Sequence, residues 1–382
     1  MAGPWCTKLL ADYGADVIKV ERPGTGDVSR GHGPFAGGVP HPETSALFVW
    51  LNTSKRSITL DVTSATGRGL ALRIAAQCDA VALDRSPSQL ERLRLSPEDL
   101  HAVNERLVVT CVSAFGQSGP YADWASSNAV AYAAGGQYYI TGDPEREPLL
   151  NGGYQAEYQA GTWAFGAALA ALWQARASGE GQVAEVAGVE AMASILEFYV
   201  PDYVYRKSEA LSRRRGNFAS AAVGIYPAAD GYIGIHCMPK NWPQFIRAMD
   251  AEWMATDERF ADNRARLRHD DELSAQIYAW AAGLTKQEAY RRAGEARAPI
   301  TPVNTMADLL ASEHLRARGF FRDIGHPDAG AMRYAGPPSR MPASPPQPRR
   351  APRLNEHNAE VFGDMLGLDG RDLTRLSAAG VI

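Results

Sequence analysis

One carboxylate stands where it could act as a nucleophile. Glu157 lies just before an Ala-rich stretch, 161–177, that predicts a helix, so it feels the positive end of the helix dipole and stays ionised. An ionised, partly desolvated carboxylate can attack a thioester and form a mixed anhydride. Gly152 and Gly153 leave room for backbone to approach such a substrate. Glu157 equally fits a first-turn acid that only stabilises its helix, and the residues alone leave both interpretations open.

Other signatures of catalysis are missing from the sequence. There is no dinucleotide-binding or nucleotide-phosphate glycine loop, and no serine in a GxSxG turn. The eight histidines are scattered and the four cysteines lack metal-ligand spacing, so we expect no metal site. We interpret the thiols as reduced, which indicates a cytoplasmic protein. The net charge of −4 gives no reason to expect nucleic acid as a partner. The sequence has no apolar run near 20 residues, so we do not expect the chain to span a membrane.

The segments before Glu157 predict an α/β fold. Strand patterns lie at 16–20, 57–62, 80–83 and 107–112. A long loop is predicted at 21–44, and helical patterns separate the last three strands. The last strand pattern is a continuous β-branched run, which is typical of a parallel strand covered on both faces. A parallel sheet flanked by helices is therefore the expected scaffold of the site.

The length of 382 residues exceeds what one hydrophobic core serves, so we expect two domains. Residues 1–204 form the first part of a large domain, and a basic linker follows at 205–222. A smaller α+β domain is expected at 223–330. A proline-dense return linker spans 331–353, and residues 354–382 complete the large domain with helices.

Several motifs occur together along the chain. They are AGPWCTKLLADYGADVIKVE at 2–21, GDVSR at 26–30, LNTSKRSITLD at 51–61, GQSGPY at 116–121, GEGQ at 179–182 and APRLNEHN at 351–358. In combination they resemble the class III CoA-transferase family of the CaiB/BaiF type, which includes formyl-CoA, carnitine and bile-acid CoA-transferases. The resemblance runs the whole chain.

That resemblance implies a fold and a reaction. It implies a Rossmann-like large domain built from both chain ends, a smaller domain between them, and two ring-shaped subunits interlocked into a homodimer. It implies acyl-CoA and a carboxylic acid acceptor as substrates, with no permanently bound cofactor. The family nucleophile is an Asp in the pattern A-D-x-x-x-G, which residues 156–161 match with Glu157 in its place. Glu keeps the carboxylate and adds one bond of roughly 1.5 Å.

The resemblance also implies a CoA-binding set, in which several family residues are replaced. The set is Arg30, Leu60, Asp61, Thr63, Asp84, Arg85, Arg92 and Ser127. Thr63 stands where the family has Lys, and Asp84-Arg85 stands within the pocket motif resembling NFRPG. Arg30 and Arg92 remain to hold phosphates, since guanidinium often binds phosphate through two hydrogen bonds.

Two alternatives to CoA transfer stay open at this point. One is a CoA-thioester isomerase, lyase or racemase of the same fold. Related racemases have a His for α-proton exchange where this chain has Ser127, followed by Asn128, which disfavours racemisation. The other is a catalytically silent CoA-binding protein. It is motivated by the altered pocket and by the family's first strand, which has no counterpart before AGP, so that Met1 stands at a polar active-site position.

Overall fold

The structure is a computed structural model that describes residues 1–143, 145–197, 199–207 and 220–382. These residues form two compact units. Unit 1 comprises Met1–Gln137, Leu150–Glu197 and Arg316–Ile382, and unit 2 comprises Tyr138–Leu149 and Phe198–Leu315. Residues 316–330, which the sequence predicts in the small domain, thus cluster with unit 1. Most of the predicted linker 205–222 lies outside the described residues.

The secondary-structure elements are numbered in chain order over the described residues. Strands β1–β10 are Ile18–Glu21, Arg56–Thr59, Ala80–Leu83, Val108–Ser113, Val183–Ala187, Val223–Ala228, Gly231–His236, Ile300–Pro302, Phe321–His326 and Gly330–Ala335. Helices α1–α17 are Ala2–Asp12, Ala46–Leu51, Ala65–Ala75, Pro87–Leu93, Pro97–His101, Asn128–Ala134, Gln155–Ser178, Gly188–Ser194, Tyr199–Arg206, Trp242–Ala248, Asn263–Arg268, Asp270–Ala282, Lys286–Ala296, Met306–Ala311, Glu313–Ala317, Asn358–Leu366 and Gly370–Ala378.

Unit 1 has a mixed α/β fold, and the strand patterns predicted at 16–20, 57–62, 80–83 and 107–112 are confirmed as β1–β4. β1 pairs with β2 in parallel, and β3, β4 and β5 form a parallel sheet in that order. β4 is buried over almost its whole length, which explains its unbroken apolar run. β9 and β10 form a separate antiparallel hairpin.

Helix α7 packs on this sheet through a stripe of alanines. Its buried residues include Ala156, Ala160, Ala164, Ala168, Ala171 and Ala175. Small side chains let α7 lie close to its neighbours, and the closest approach is at Gly161. A Cβ added to Gly161 would lie 2.5 Å from the carbonyl oxygen of Ala2, so only glycine fits. The starts of α1 and α7 are thereby brought side by side.

Unit 2 is built on an antiparallel sheet of β6, β7 and β8, in that order. Its core includes Ile233 of β7, Phe245 of α10, Phe260 from the turn before α11 and Ile277 of α12. Burial of these apolar side chains away from water is the main favourable contribution to its folding. In neither unit do the described residues contain a helix long and apolar enough to cross a membrane.

Candidate active site

Glu157 occupies the first turn of α7, where that helix passes the start of α1. Its side chain keeps 27% of its exposure, so the carboxylate is open to solvent on one side. The amino nitrogen of Met1 lies 2.6 Å from Glu157 Oε2. The carboxylate therefore lies near the N-terminal ends of two helices, of 11 and 24 residues, and both helix dipoles favour its negative charge.

A side chain from α6 completes the start of α7. Asn128 Oδ1 accepts a hydrogen bond from the backbone N–H of Ala156 at 2.9 Å and from that of Glu157 at 3.4 Å. Asn128 Nδ2 donates to the carbonyl oxygen of Gly153 at 3.1 Å. The sequence assigns Asn128 no role, because its partners lie 25 to 29 residues away along the chain and no local pattern marks them.

Aromatic side chains pack beside the same turn. Tyr158 meets the ring of Trp5 edge-on, with ring centroids 4.8 Å apart, and Trp5 stacks on Trp50 at 6.0 Å. Trp5 Nε1 also donates to Thr162 Oγ1 at 3.0 Å. These contacts join α1, α2 and α7 next to Glu157, so the backbone around the carboxylate is held from two sides.

A second group of predicted residues lines one cleft of about 720 Å³, here called the arginine cleft. It lies at the carboxyl ends of β1, β2 and β3, where parallel α/β sheets bind ligands. Five predicted CoA-binding residues line it: Leu60, Asp61, Thr63, Arg85 and Arg92. Arg22 and Gln89 also line it and are absent from the predicted set. The position of Arg22 directly after β1 is the signal that could have revealed it.

The arginine cleft is lined by three arginines and by the carboxylates of Asp61 and Glu21, of which Glu21 is paired with Arg30. Arg22, Arg85 and Arg92 are exposed, and none of them forms an ion pair with a described carboxylate. Among the described residues, Arg92 Nε donates to the backbone oxygen of Ser88, at 3.2 Å. Asp61 is turned toward Thr63, whose hydroxyl donates to its Oδ1 at 2.6 Å. The cleft is therefore suited to a polyanion such as a phosphate-bearing nucleotide.

The surroundings of Arg30 contradict its predicted role in binding phosphate. Its guanidinium is 1% exposed, and it forms ion pairs with Glu21 at 2.7 Å and with Glu43 at 2.8 Å. It also lies 3.6 Å from the ring centroid of Phe48. Its N–H groups donate to Glu21, to Glu43 and to the backbone oxygens of Pro42 and Pro352, so Arg30 has no free donor for a phosphate. We call Arg30, Glu21, Glu43 and Ser57 the Arg30 network, since Ser57 Oγ donates to Glu21 Oε1 at 2.6 Å.

The remaining predicted residues lie away from the cleft lining. Asp84 packs against the start of α1, where a Cβ added to Gly3 would lie 2.9 Å from Asp84 Cβ. Ser127 is the N-cap of α6, and its Oγ accepts from the N–H of Val130 at 3.4 Å. Ser127 is thus beside the Glu157 turn through its neighbour Asn128. Over the described part of the chain, no cluster of three or more His, Cys, Asp or Glu could hold a metal ion.

Known proteins that resemble this chain over nearly its full length belong to one family. The sequence model of CoA-transferase family III matches residues 1–358. The chain is 36% identical to succinyl-CoA–D-citramalate CoA-transferase of Chloroflexus aurantiacus, covering 100% of this chain and 95% of the relative. It is 30% identical to succinate–glutarate CoA-transferase of Agrobacterium fabrum, covering 96% and 92%. A crystal structure of a CaiB/BaiF family protein from Brucella suis superposes with a TM-score of 0.84 at 30% identity, covering 96% of each chain.

Proposed function

Since this chain belongs to CoA-transferase family III, we propose that it transfers CoA from an acyl-CoA to an acceptor carboxylate through intermediates covalently bound to Glu157. The observation that carries this proposal is the setting of the carboxylate. It lies partly exposed at the N-terminal ends of two helices, where negative charge is stabilised without burial. A Cβ added to Gly152 would meet no atom within 4 Å, so the backbone at this glycine is open to an approaching group.

The proposed reaction is a series of acyl exchanges that needs no net proton transfer. Glu157 attacks the thioester carbonyl carbon, the C–S bond breaks, and CoA thiolate leaves a mixed anhydride on the enzyme. The thiolate attacks the Glu157 carbonyl carbon of the anhydride and expels the donor carboxylate, which gives a glutamyl-CoA thioester. The acceptor carboxylate then attacks this thioester and releases CoA thiolate. Attack of the thiolate on the acceptor acyl carbon forms the new acyl-CoA and frees Glu157.

We propose that the arginine cleft binds the phosphates of CoA. Arg22, Arg85 and Arg92 converge there without ion-pair partners among the described residues, and guanidinium groups match phosphate oxygens through paired hydrogen bonds. Thr63 contributes no charge in this cleft, so the arginines supply the positive field. A CoA held at this cleft would present its thioester for positioning at Glu157.

We propose short dicarboxylic acids as the substrate class with which to begin. The two relatives described above are named for succinyl-CoA and D-citramalate and for succinate and glutarate. Such acids supply one carboxylate for exchange and a second for orientation within the site.

We further propose that the enzyme is a homodimer. Helix α7 exposes Trp163, Leu169 and Trp173, with 53%, 46% and 78% of their surface open, along one Ala-rich helix. Apolar side chains of this size on one helix are typical of a protein interface. A second copy of this chain is the occupant that the family resemblance implies, and light scattering after size-exclusion chromatography measures the mass directly.

The test is to trap the acyl enzyme. Purified protein is incubated with succinyl-CoA and other acyl-CoAs, treated with hydroxylamine, and analysed by peptide mass spectrometry. We expect hydroxamate on the peptide carrying Glu157, no adduct in Glu157→Gln, and slower formation, by about 100-fold, in Glu157→Asp because the carboxylate is withdrawn by roughly one bond.

Glu190→Gln is the matched control, because Glu190 is also a first-turn glutamate, at the start of α8, and is exposed. It should form the adduct at the wild-type rate. Tight CoA binding with no adduct on any wild-type peptide would overturn the covalent mechanism. That result would favour non-covalent thioester chemistry or a silent binding role.

A further inference from the structure

The first turn of α7 does not cap itself. Its N-cap residue, Tyr154, makes no side-chain cap hydrogen bond and has φ −103° and ψ 50°, outside the extended conformation in which caps usually form. The first N–H groups of a helix have no partner within the helix and need one from elsewhere. Ala156 is 1% exposed, so its N–H has little access to water.

Asn128 fills this gap from another helix. Its Oδ1 accepts from the N–H of Ala156 at 2.9 Å and from that of Glu157 at 3.4 Å. Its Nδ2 donates to the carbonyl oxygen of Gly153 at 3.1 Å, and Gly153 has φ +74°, a left-handed conformation that glycine adopts without strain. One amide thus ties the glycine turn on one side of Tyr154 to the helix turn on the other.

We infer that Asn128 is a positioning residue for the nucleophile, holding the Gly153 carbonyl and the Glu157 backbone in one geometry so that the carboxylate meets the thioester. The inference rests on the proposed role of Glu157 as the nucleophile. A side chain that both donates and accepts is required, because it joins one carbonyl to two N–H groups. Asp retains only the acceptor and brings a second negative charge to the same helix end, and Ala retains neither.

The experiment compares wild type, Asn128→Ala and Asn128→Asp in steady-state transfer and in single-turnover formation of the Glu157 adduct. We expect kcat and the acylation rate to fall by about 100-fold in Asn128→Ala, because a shift of about 1 Å in the nucleophile has that effect. The KM for acyl-CoA should stay within about twofold, since the arginine cleft is untouched. Asn128→Asp should also be slow, although it preserves the helix cap.

Asn104 is the matched control for a purely structural effect. Its Nδ2 donates to the carbonyl oxygen of Cys78 at 3.0 Å and its Oδ1 accepts from the N–H of Arg106 at 3.0 Å, which is the same pair of functions at the amino-terminal edge of the sheet. Asn104→Asp should change the melting temperature about as much as Asn128→Asp does and leave the acylation rate unchanged.

Three outcomes overturn the inference while the covalent mechanism stands. The first is a wild-type acylation rate in both Asn128 variants. The second is an equal loss of kcat in Asn104→Asp, and the third is a loss in the Asn128 variants that appears wholly in KM. Absence of an adduct in the wild type overturns the covalent role of Glu157 instead, so the two failures are distinguishable.

Discussion

Two groups of arginines in unit 1 differ in what surrounds them. Arg30 is buried, stacked on Phe48 and held by Glu21 and Glu43. The arginines of the arginine cleft, Arg22, Arg85 and Arg92, are exposed and meet no carboxylate of the described residues at ion-pair distance. A guanidinium whose charge is balanced inside the fold stabilises that fold, whereas an unbalanced one in a concave site is available to an anionic ligand. The following predictions separate these two roles.

The largest effect is expected for Arg30→Met. Removing the buried guanidinium leaves Glu21 and Glu43 without the ion-pair partner that they share, which should cost about 3–5 kcal/mol of unfolding free energy. Urea unfolding at pH 7 measures this loss. Arg30→Lys, which retains the charge, should lose less. If Arg30→Met instead keeps its stability and loses affinity for CoA, then Arg30 contacts phosphate, and the distinction between a structural Arg30 and ligand-binding cleft arginines is wrong.

The next effect is expected for Arg92→Gln. A hydrogen-bonded guanidinium–phosphate contact contributes about 1.5–3 kcal/mol, so the Kd for CoA should rise about 10- to 100-fold with little change in melting temperature. Titration calorimetry with CoA measures the change. Arg106→Gln is the control, because Arg106 is exposed but lies before β4, at the opposite edge of the sheet. An equal rise of the Kd for CoA in both variants would mean that the arginine cleft is not a specific CoA-binding site.

A smaller effect concerns acid stability. Burial opposes ionisation of Glu21, but the hydrogen bond and charge of Arg30 outweigh it and hold the pKa of Glu21 below its ordinary value of 4.5. A carboxyl with a lowered folded-state pKa contributes stability above about pH 4.5 that is lost as the pH falls toward the folded pKa. Relative to Glu21→Gln, wild type should lose about 1–2 kcal/mol between pH 5 and pH 3. If the unfolding free energies of the two proteins, measured with urea, change equally between pH 5 and pH 3, the result would argue against a strong Arg30 network.

The smallest effect expected is the change in CoA affinity with salt concentration. Exposed charges are screened by ions, with a Debye length of about 10 Å at 0.1 M and about 3 Å at 1 M, whereas buried pairs are screened much less. Raising the salt concentration from roughly 0.05 M to 0.5 M should therefore weaken CoA binding by about 3- to 10-fold. The unfolding contribution of the Arg30 network, measured as the difference between wild type and Arg30→Met, should stay nearly constant. A salt-independent Kd would count against an electrostatic cleft.

The misplacement of Arg30 shows where sequence reasoning stops. Arg30 and Arg92 are the same residue type near the same strands, and both were expected at phosphates. The acids that neutralise Arg30 come from β1 and from Glu43, which lies 13 residues further along, and it also donates to the backbone of Pro352, 322 residues away. No local pattern in the chain signals that these groups meet around one guanidinium.

The local features followed from the chain itself. Apolar patterns of strand type predicted β1–β4, because strand and helix periodicity depend on near neighbours in sequence. The Ala-rich run predicted a helix at 161–177 with Glu157 just before it, and the observed α7 begins six residues earlier, so that Glu157 lies in its first turn. The family resemblance brought five of the cleft residues onto the candidate list, and the structure assembles those five in one cleft.

What tertiary structure alone decided is which polar groups are already satisfied. Asn128 caps a helix that begins 27 residues later, and the guanidinium of Arg30 is paired with carboxylates. Arg22, which directly follows β1, lines the arginine cleft. Hydrogen bonds and ion pairs act over a few ångströms in space, whatever the separation along the chain. The sequence by itself therefore determined the type of scaffold and, through the family resemblance, the candidate nucleophile Glu157. The packing of distant segments determined which neighbours hold that carboxylate and which arginines have no ion-pair partner among the described residues.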